Sequence, residues 1–283
     1  MPISVDASSD PAYETPVSVS QFRACLRVNE RLGAGYFRQE FEADEPADFG
    51  GVRPGQFVML RGEWGRDLIN GRAFSVLSVD GTRRFSILGK VLGRGTARMH
   101  AASEGAQFVC TGPLGHGFPA ARPGVTQLLV AGGVGLPPLL FQAERAVEHG
   151  VSDGVELFYG GRCRDDLVLL QRLAATGALL QLATDDGTEG HHGRVVAPLE
   201  ARLRTAKAHE RIEILACGPT PMLRAVRAIG LAARLPTFLA LEEQMACGFG
   251  VCLGCAVPVR GEKPYKYCCT DGPVFDAREV RWS

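Results

Sequence analysis

Thr126–Gly150, TQLLVAGGVGLPPLLFQAERAVEHG, decides the fold. Its first six residues form a near-continuous apolar run, as in a strand buried on both faces. A glycine turn follows, and then an amphipathic helix. The same strand–helix order returns in VELFYGG with DLVLLQRLAATG and in RIEILACG with PTPMLRAVRAIG. LLQLATDD and GRVVAPLEARLRT supply a further strand and helix. Apolar strands alternating with helices predict a Rossmann-like parallel sheet covered on both faces.

The turn at its centre, Ala131-Gly132-Gly133-Val134-Gly135-Leu136-Pro137-Pro138, lets a phosphate approach the backbone. It is not the regular G-x-G-x-x-G fingerprint, whose third glycine is absent. Proline suits the first helical position, because its missing N–H would have no intrahelical partner. The helix N-terminus then offers free N–H groups and a favourable dipole to a pyrophosphate. A tight strand–helix turn without a ligand is the competing reading. Three more strand ends point at the same crevice: Tyr159-Gly160-Gly161-Arg162, Thr184-Asp185-Asp186-Gly187 and Cys217-Gly218-Pro219-Thr220-Pro221-Met222. Ligands of open α/β sheets bind outside the carboxyl ends of the strands. Gly132, Gly133, Gly135, Asp185, Cys217, Gly218 and Pro219 are therefore the candidate nucleotide residues. Cys217 would lie near a nicotinamide ring, and Gly218-Pro219 would let that ring lie flat. No histidine stands near Cys217 in sequence, which disfavours a nucleophile. His191 and His192 read as loop residues.

Upstream the texture differs. Residues 1–16 are polar, without periodicity, and read as a mobile extension. From Val17 to about Pro119, short alternating runs are punctuated by Gly, Pro and Asp, which predicts an antiparallel barrel or sandwich. Arg72-Ala73-Phe74-Ser75 begins one such strand. It offers a cation for a pyrophosphate, an aromatic surface for a flavin ring and a hydroxyl near N5. Alone this is a weak signal. Gly93-Arg94-Gly95-Thr96 follows, a glycine turn entering a short helix, with Leu88, Gly89 and Lys90 on the strand edge beside it.

A chain of 283 residues with 46% apolar content holds two cores comfortably. Formal net charge is zero and no basic run appears, so neither nucleic acid nor a charged membrane surface is an expected partner. No apolar stretch reaches a membrane span, and the N-terminus lacks the regions of a signal peptide. Of nine cysteines, five stand at or after residue 247. Such crowding argues for a metal site in a reducing cytoplasm rather than disulfides. Cys25, Cys110, Cys163 and Cys217 are scattered among apolar residues and read as small core residues.

In MACGFGVCLGC, Cys247, Cys252 and Cys255 stand at C-x4-C-x2-C, and Cys268-Cys269 follow a short hairpin (AVPV, GEKP, YKYC). Three thiolates on one loop with a fourth from elsewhere is how a chain holds a plant-type [2Fe–2S] cluster. A zinc knuckle also satisfies Cys252-x2-Cys255 plus a distal pair, but Cys247 and the framing glycines would then be superfluous. The spacing leaves Cys268 and Cys269 both open as the fourth ligand.

With these residues in hand, the chain resembles the electron-transfer subunit of class 1B dihydroorotate dehydrogenase, within the ferredoxin–NAD(P) reductase superfamily. RAFS, GRGT, AGGVGLPPL, TDDG and CGPTPML occur broadly in that superfamily. The tail EEQMACGFGVCLGC…CCTDGPVF is the specific part. The resemblance implies a flavin barrel over 17–120, an NAD-binding α/β domain over 121–237 and a [2Fe–2S] module over 238–283. It places FAD on Arg72, Ala73, Phe74, Ser75, Leu88, Gly89, Lys90, Gly95 and Thr96. Aligned on C-T-D-G-P-V-F, it makes Cys269 the fourth ligand, and Cys268 is then a departure without a role. It also implies a partner subunit carrying FMN that oxidises dihydroorotate to orotate in pyrimidine biosynthesis, in a heterotetramer. Electrons would pass from that FMN through the cluster to FAD, and as hydride to NAD+. Arg162 and Arg164 would suit the 2′-phosphate of NADP, whereas Asp165 and Asp166 favour NAD. The rivals are a reductase subunit of another complex, such as a sulfhydrogenase or an oxygenase, and a zinc-knuckle scaffold without cofactors.

Overall fold

Residues 19–47, 49–65 and 68–282 are described in a computed structural model; the extension expected over 1–16 lies outside them. The six alternating runs become β1 (Ser20–Gly33), β2 (Tyr36–Ala43), β3 (Phe57–Gly62), β4 (Arg72–Asp80), β5 (Arg84–Lys90) and β6 (Gln107–Leu114). Among the described residues they close into an antiparallel barrel in the order β1-β2-β5-β4-β3-β6. The alternation has its physical cause inside. Phe85 stacks at 4.5 Å on Phe49 and at 5.3 Å on Phe41, while Phe108 meets Phe41 edge-on. Each such ring, removed from water, contributes roughly 1.5–3 kcal/mol.

Helix α1 (Arg94–His100) crosses one end of the barrel. Its C-terminal carbonyls are held by two side chains of the adjoining strands. Asn29 donates to Met99 O, His100 O and Ala102 O, at 2.7 Å for the last, and Gln39 donates to Met99 O at 2.7 Å. Last-turn carbonyls have no intrahelical donor, so these amides satisfy them.

The second half is a sheet in the order β10-β9-β8-β7-β11-β12-β15, the last strand being Val274–Asp276 of the tail. Its parallel strands are β7 (Thr126–Gly132), β8 (Val155–Gly161), β9 (Leu179–Thr184), β10 (His191–His192), β11 (Ile212–Cys217) and β12 (Thr237–Ala240). Helices α2 (Pro137–Glu148), α3 (Leu170–Ala175), α4 (Val196–Arg204) and α5 (Thr220–Ala232) accompany them. His191 and His192, expected in a loop, pair with Ala183 and Thr184 as the exposed edge strand β10. Two residues are too short a run to register as periodicity. Helix α2 stops in a Schellman turn: Gly150, at φ +69°, donates to Val147 O, and Val151 donates to Ala146 O. One face of α2 buries Leu139, Leu140 and Ala143 against the sheet, while Phe141 enters the barrel core.

The tail does not hang free. After the hairpin of β13 (Ala256–Pro258) and β14 (Tyr265–Tyr267), strand β15 (Val274–Asp276) returns antiparallel to β12 and closes the sheet. On the way it meets the barrel, where His116 N donates to Gly272 O at 2.6 Å, and Leu241 N donates to Pro273 O at 2.8 Å. Phe57, Met59 and Leu114 of the barrel share one apolar core with Val257, Cys268 and Phe275 of the tail.

Candidate functional site

The carboxyl ends of β7, β8, β9 and β11 open on a cavity of about 520 Å³ between sheet and barrel. Gly133, Arg162, Asp185 and Pro219 line it from the sheet side, Tyr36 and Lys90 from the barrel. Gly132 and Gly218 reach it as well, so the predicted glycine turns converge. Gly135 lies against the Cys217 carbonyl with no room for a β-carbon between them. Cys217 itself is 2% exposed. Burial, and then the nearby Glu242 carboxylate, push its thiol well above the ordinary range. Its thiol is buried behind the Gly218-Pro219 turn that lines the cavity and stays protonated, which does not suit a nucleophile. Glu242, at the cavity wall, is itself held above the usual carboxylate range by desolvation.

On the barrel side the two flavin motifs meet. The Arg72 guanidinium lies directly over Gly95, in space a β-carbon at 95 would fill, and 5.4 Å from the centre of the Trp64 ring. Thr96 Oγ1 accepts from Leu92 N at 2.9 Å and Gly93 N at 3.1 Å, which sets the turn into α1. A fixed cation beside a glycine-lined helix start fits a dinucleotide diphosphate, and these residues would hold it. Ala73 and the half-buried Ser75 form the open side of β4. Phe74, expected against the flavin ring, is instead 8% exposed and packed in the barrel core, because strand alternation turns it inward. Leu88 is buried where barrel and sheet share a core, and Gly89 abuts Phe37.

Lys90 ends β5, on the strand edge expected for it. Its ammonium crosses to Asp166 of the sheet domain, 2.6 Å from Oδ1, and lies 4.2 Å over the Tyr36 ring. Asp166, 3% exposed, receives Arg162 on its other side through Nε at 2.6 Å and Nη2 at 3.2 Å. The Arg162 guanidinium, opposed by burial and aided by Lys90, holds this carboxyl far below the usual range. Arg164, the other arginine weighed for a 2′-phosphate, pairs with Glu189 at 3.1 Å. Tyr36, Arg194 and Glu242 also border the cavity, and no motif announced them.

The tail cysteines come together as two pairs. Cys247 Sγ stands 3.3 Å from Cys252 Sγ, and Cys255 Sγ 3.2 Å from Cys269 Sγ. Cys268, fully buried, turns the other way and donates to the Leu241 carbonyl at 3.1 Å. Burial pushes the Cys247 thiol up, but N–H groups of Cys252, Phe249 and Val251 outweigh it and bring it to about 6. A loop that aims backbone donors at one sulfur is built for a thiolate. Two sulfur pairs suit the two irons of a [2Fe–2S] cluster, one pair to each, so the donor set fits the group. Gly248, at φ +84°, brings this loop onto the barrel, against Met59 and Leu114. Met59 is the cross-strand partner of Ala73, so cluster loop and flavin strand are one strand apart.

Comparison with known proteins agrees with this layout. Residues 242–281 match the iron–sulfur cluster binding domain of dihydroorotate dehydrogenase B, and residues 129–228 an oxidoreductase NAD-binding domain. The dihydroorotate dehydrogenase B (NAD(+)) electron transfer subunit of Bacillus caldolyticus is 39% identical over 235 residues, 81% of this chain and 86% of the relative. The subunit of that name from Caldanaerobacter subterraneus subsp. tengcongensis is 33% identical over 264 residues, 92% of this chain and 98% of its own length. Among solved structures, an NADH-dependent reduced ferredoxin-NADP oxidoreductase superposes with TM-score 0.76 at 26% identity, covering 92% of this chain and 90% of that one. The ferredoxin reductase in carbazole 1,9a-dioxygenase, at TM-score 0.65 and 24% identity over 77% of this chain and 67% of its own, shares the fold. With a cluster domain, an NAD-binding domain and relatives matched along nearly their whole length, the chain belongs to the dihydroorotate dehydrogenase B electron transfer subunits.

Proposed function

We propose that this chain takes electrons one at a time from a partner subunit that oxidises dihydroorotate and delivers them in pairs to NAD+, as a step of pyrimidine biosynthesis. The cluster supplies single-electron transfer, FAD the exchange between single electrons and hydride, and NAD+ the final acceptor. The observation that carries this reading is the pairing of Cys247 with Cys252 and of Cys255 with Cys269, one strand from the predicted flavin face. Cys247, Cys252, Cys255 and Cys269 would ligate the cluster. Arg72, Gly95 and Thr96 would hold the FAD diphosphate, with Ala73 and Ser75 along the flavin. Gly132, Gly133, Gly135 and Asp185 would receive NAD, and Gly218-Pro219 would back its nicotinamide.

Phe249, Val251 and Leu253 stand exposed around the paired thiols. An apolar tip of this kind suits burial in an interface. We assign it to an FMN-containing catalytic subunit, two of each chain making a heterotetramer. The functional division remains 17–120 for flavin, 121–237 for nucleotide and 238–283 for the cluster. A second reading, a reductase subunit of a different complex, has support in the 92% overlap with the ferredoxin-NADP oxidoreductase.

Anaerobic co-expression with an FMN-containing dihydroorotate-oxidising partner decides between them. Dihydroorotate-dependent NADH formation is expected, and it should be lost when Cys247, Cys252, Cys255 and Cys269 are all changed to Ser. Equal NADH formation by that variant would sink the relay.

A further inference from the structure

Arg162 has five N–H donors in a rigid fork. Two nitrogens, Nε and Nη2, are spent on Asp166, and the side chain is nevertheless 74% exposed and lines the crevice. The remaining donors are not spent on Asp166, and the side chain lines the same cavity as Gly133 and Asp185. Asp166 is what holds them there. Its carboxylate is 4% exposed, its backbone carbonyl accepts from Tyr159 Oη at 3.0 Å, and Tyr159 Oη in turn accepts from Val168 N at 3.3 Å. Lys90 of the barrel holds Oδ1, the oxygen that Arg162 Nη2 also reaches. The carboxylate is thus fixed from both domains, and of the two cations on it Lys90 is mostly buried while Arg162 is the exposed one.

We propose that Asp166 is a positioning residue for nucleotide binding: it pre-orients the Arg162 fork toward the diphosphate of NAD(H) in the crevice. Arginine loses several rotatable bonds of freedom when it grips a phosphate, and a carboxylate that has already fixed the fork removes that cost from the binding step. Lys90 shares Oδ1 of Asp166 with Arg162 Nη2, and so steadies the clamp from the barrel side. The inference rests on the reading of the crevice as the NAD site, and it adds a residue that no phosphate motif contains.

The test is calorimetric titration of the purified, cofactor-loaded chain with ADP-ribose, alongside steady-state NADH–ferricyanide turnover. Asp166→Asn should weaken ADP-ribose binding about five- to tenfold. It should raise KM for NADH by the same factor and leave kcat within about twofold. Asp166→Glu should recover part of the loss. Arg162→Lys keeps the charge on an exposed side chain, so it tests the fork even if Asp166→Asn folds poorly. In the Arg162→Lys background, Asp166→Asn should add almost nothing, because the clamp then has no fork to hold. Unchanged ADP-ribose affinity in Asp166→Asn, or an undiminished further loss in the Arg162→Lys background, overturns the proposal. Failure of the unaltered chain to bind ADP-ribose would instead overturn the reading of the crevice itself.

Discussion

At the scale of single residues, the two adjacent cysteines of the tail have opposite surroundings. Cys269 faces Cys255, while Cys268 donates to a main-chain carbonyl inside the core. Cys269→Ser should therefore abolish the visible absorbance of the cluster, and Cys268→Ser should keep it; equal loss in both would contradict the assignment. Sequence spacing left both open and the resemblance chose Cys269; the structure adds that the two side chains point different ways. Asp166 makes a second test. Its folded pKa lies below the unfolded value, so its contribution is present above about pH 4 and lost as pH falls through the folded value. The stability difference between the unaltered chain and Asp166→Asn in urea should stay constant from neutral pH down to about pH 5 and shrink only below about pH 4. A difference that already shrinks near pH 6 would assign the effect to another group. The Lys90–Asp166 pair itself was illegible in the sequence, because 76 residues separate its members and neither belongs to a recognisable pair motif.

At the scale of elements, α1 shows how a short helix is held in place. Seven residues make few internal hydrogen bonds, and Asn29 supplies donors to three carbonyls at its end. Asn29→Ala should lower stability by about 1 kcal/mol by leaving the part-buried His100 and Ala102 carbonyls without that donor, while Met99 O keeps Gln39. It should also speed loss of FAD on dilution, seen as recovery of flavin fluorescence, because the start of α1 lies beside Arg72. Retention of FAD at the unaltered rate would separate α1 from the flavin. Strands and helices were largely legible. β1 to β6 each coincide with a predicted alternating run, and β7 and β8 with continuous apolar runs that are buried on both faces, since the pattern of burial is the packing itself. Phe74 was misread for a local reason: a motif gives residue types, and only strand register gives the face.

At the scale of the whole molecule, the tail is a bracket between the two larger units. Gly272 receives His116 of the barrel, β15 pairs with β12 of the sheet, and Gly248 sets the cysteine loop on Met59. The C-T-D-G-P-V-F ending that first marked the family is thus also the junction that fixes the distance from cysteine loop to flavin strand. A β-carbon at Gly248 would stand 2.6 Å from Met59 Cγ, so the loop must shift. Gly248→Ala should slow NADH-driven cluster reduction several-fold while leaving NADH–ferricyanide turnover within about twofold. Equal slowing of both would place the defect in the nucleotide site. The bracket could not be foreseen from composition, because its contacts join residues over 150 positions apart, such as His116 and Gly272.

The central claim is that cluster and nucleotide sites are joined within this one chain. Anaerobic addition of NADH to the purified chain without its partner, followed by electron paramagnetic resonance, tests it most directly. The account predicts the signal of a reduced [2Fe–2S] cluster in the unaltered chain and none in Cys269→Ser, with the flavin bleached in both. A bleached flavin with no cluster signal in the unaltered chain, where dithionite does produce one, would contradict it.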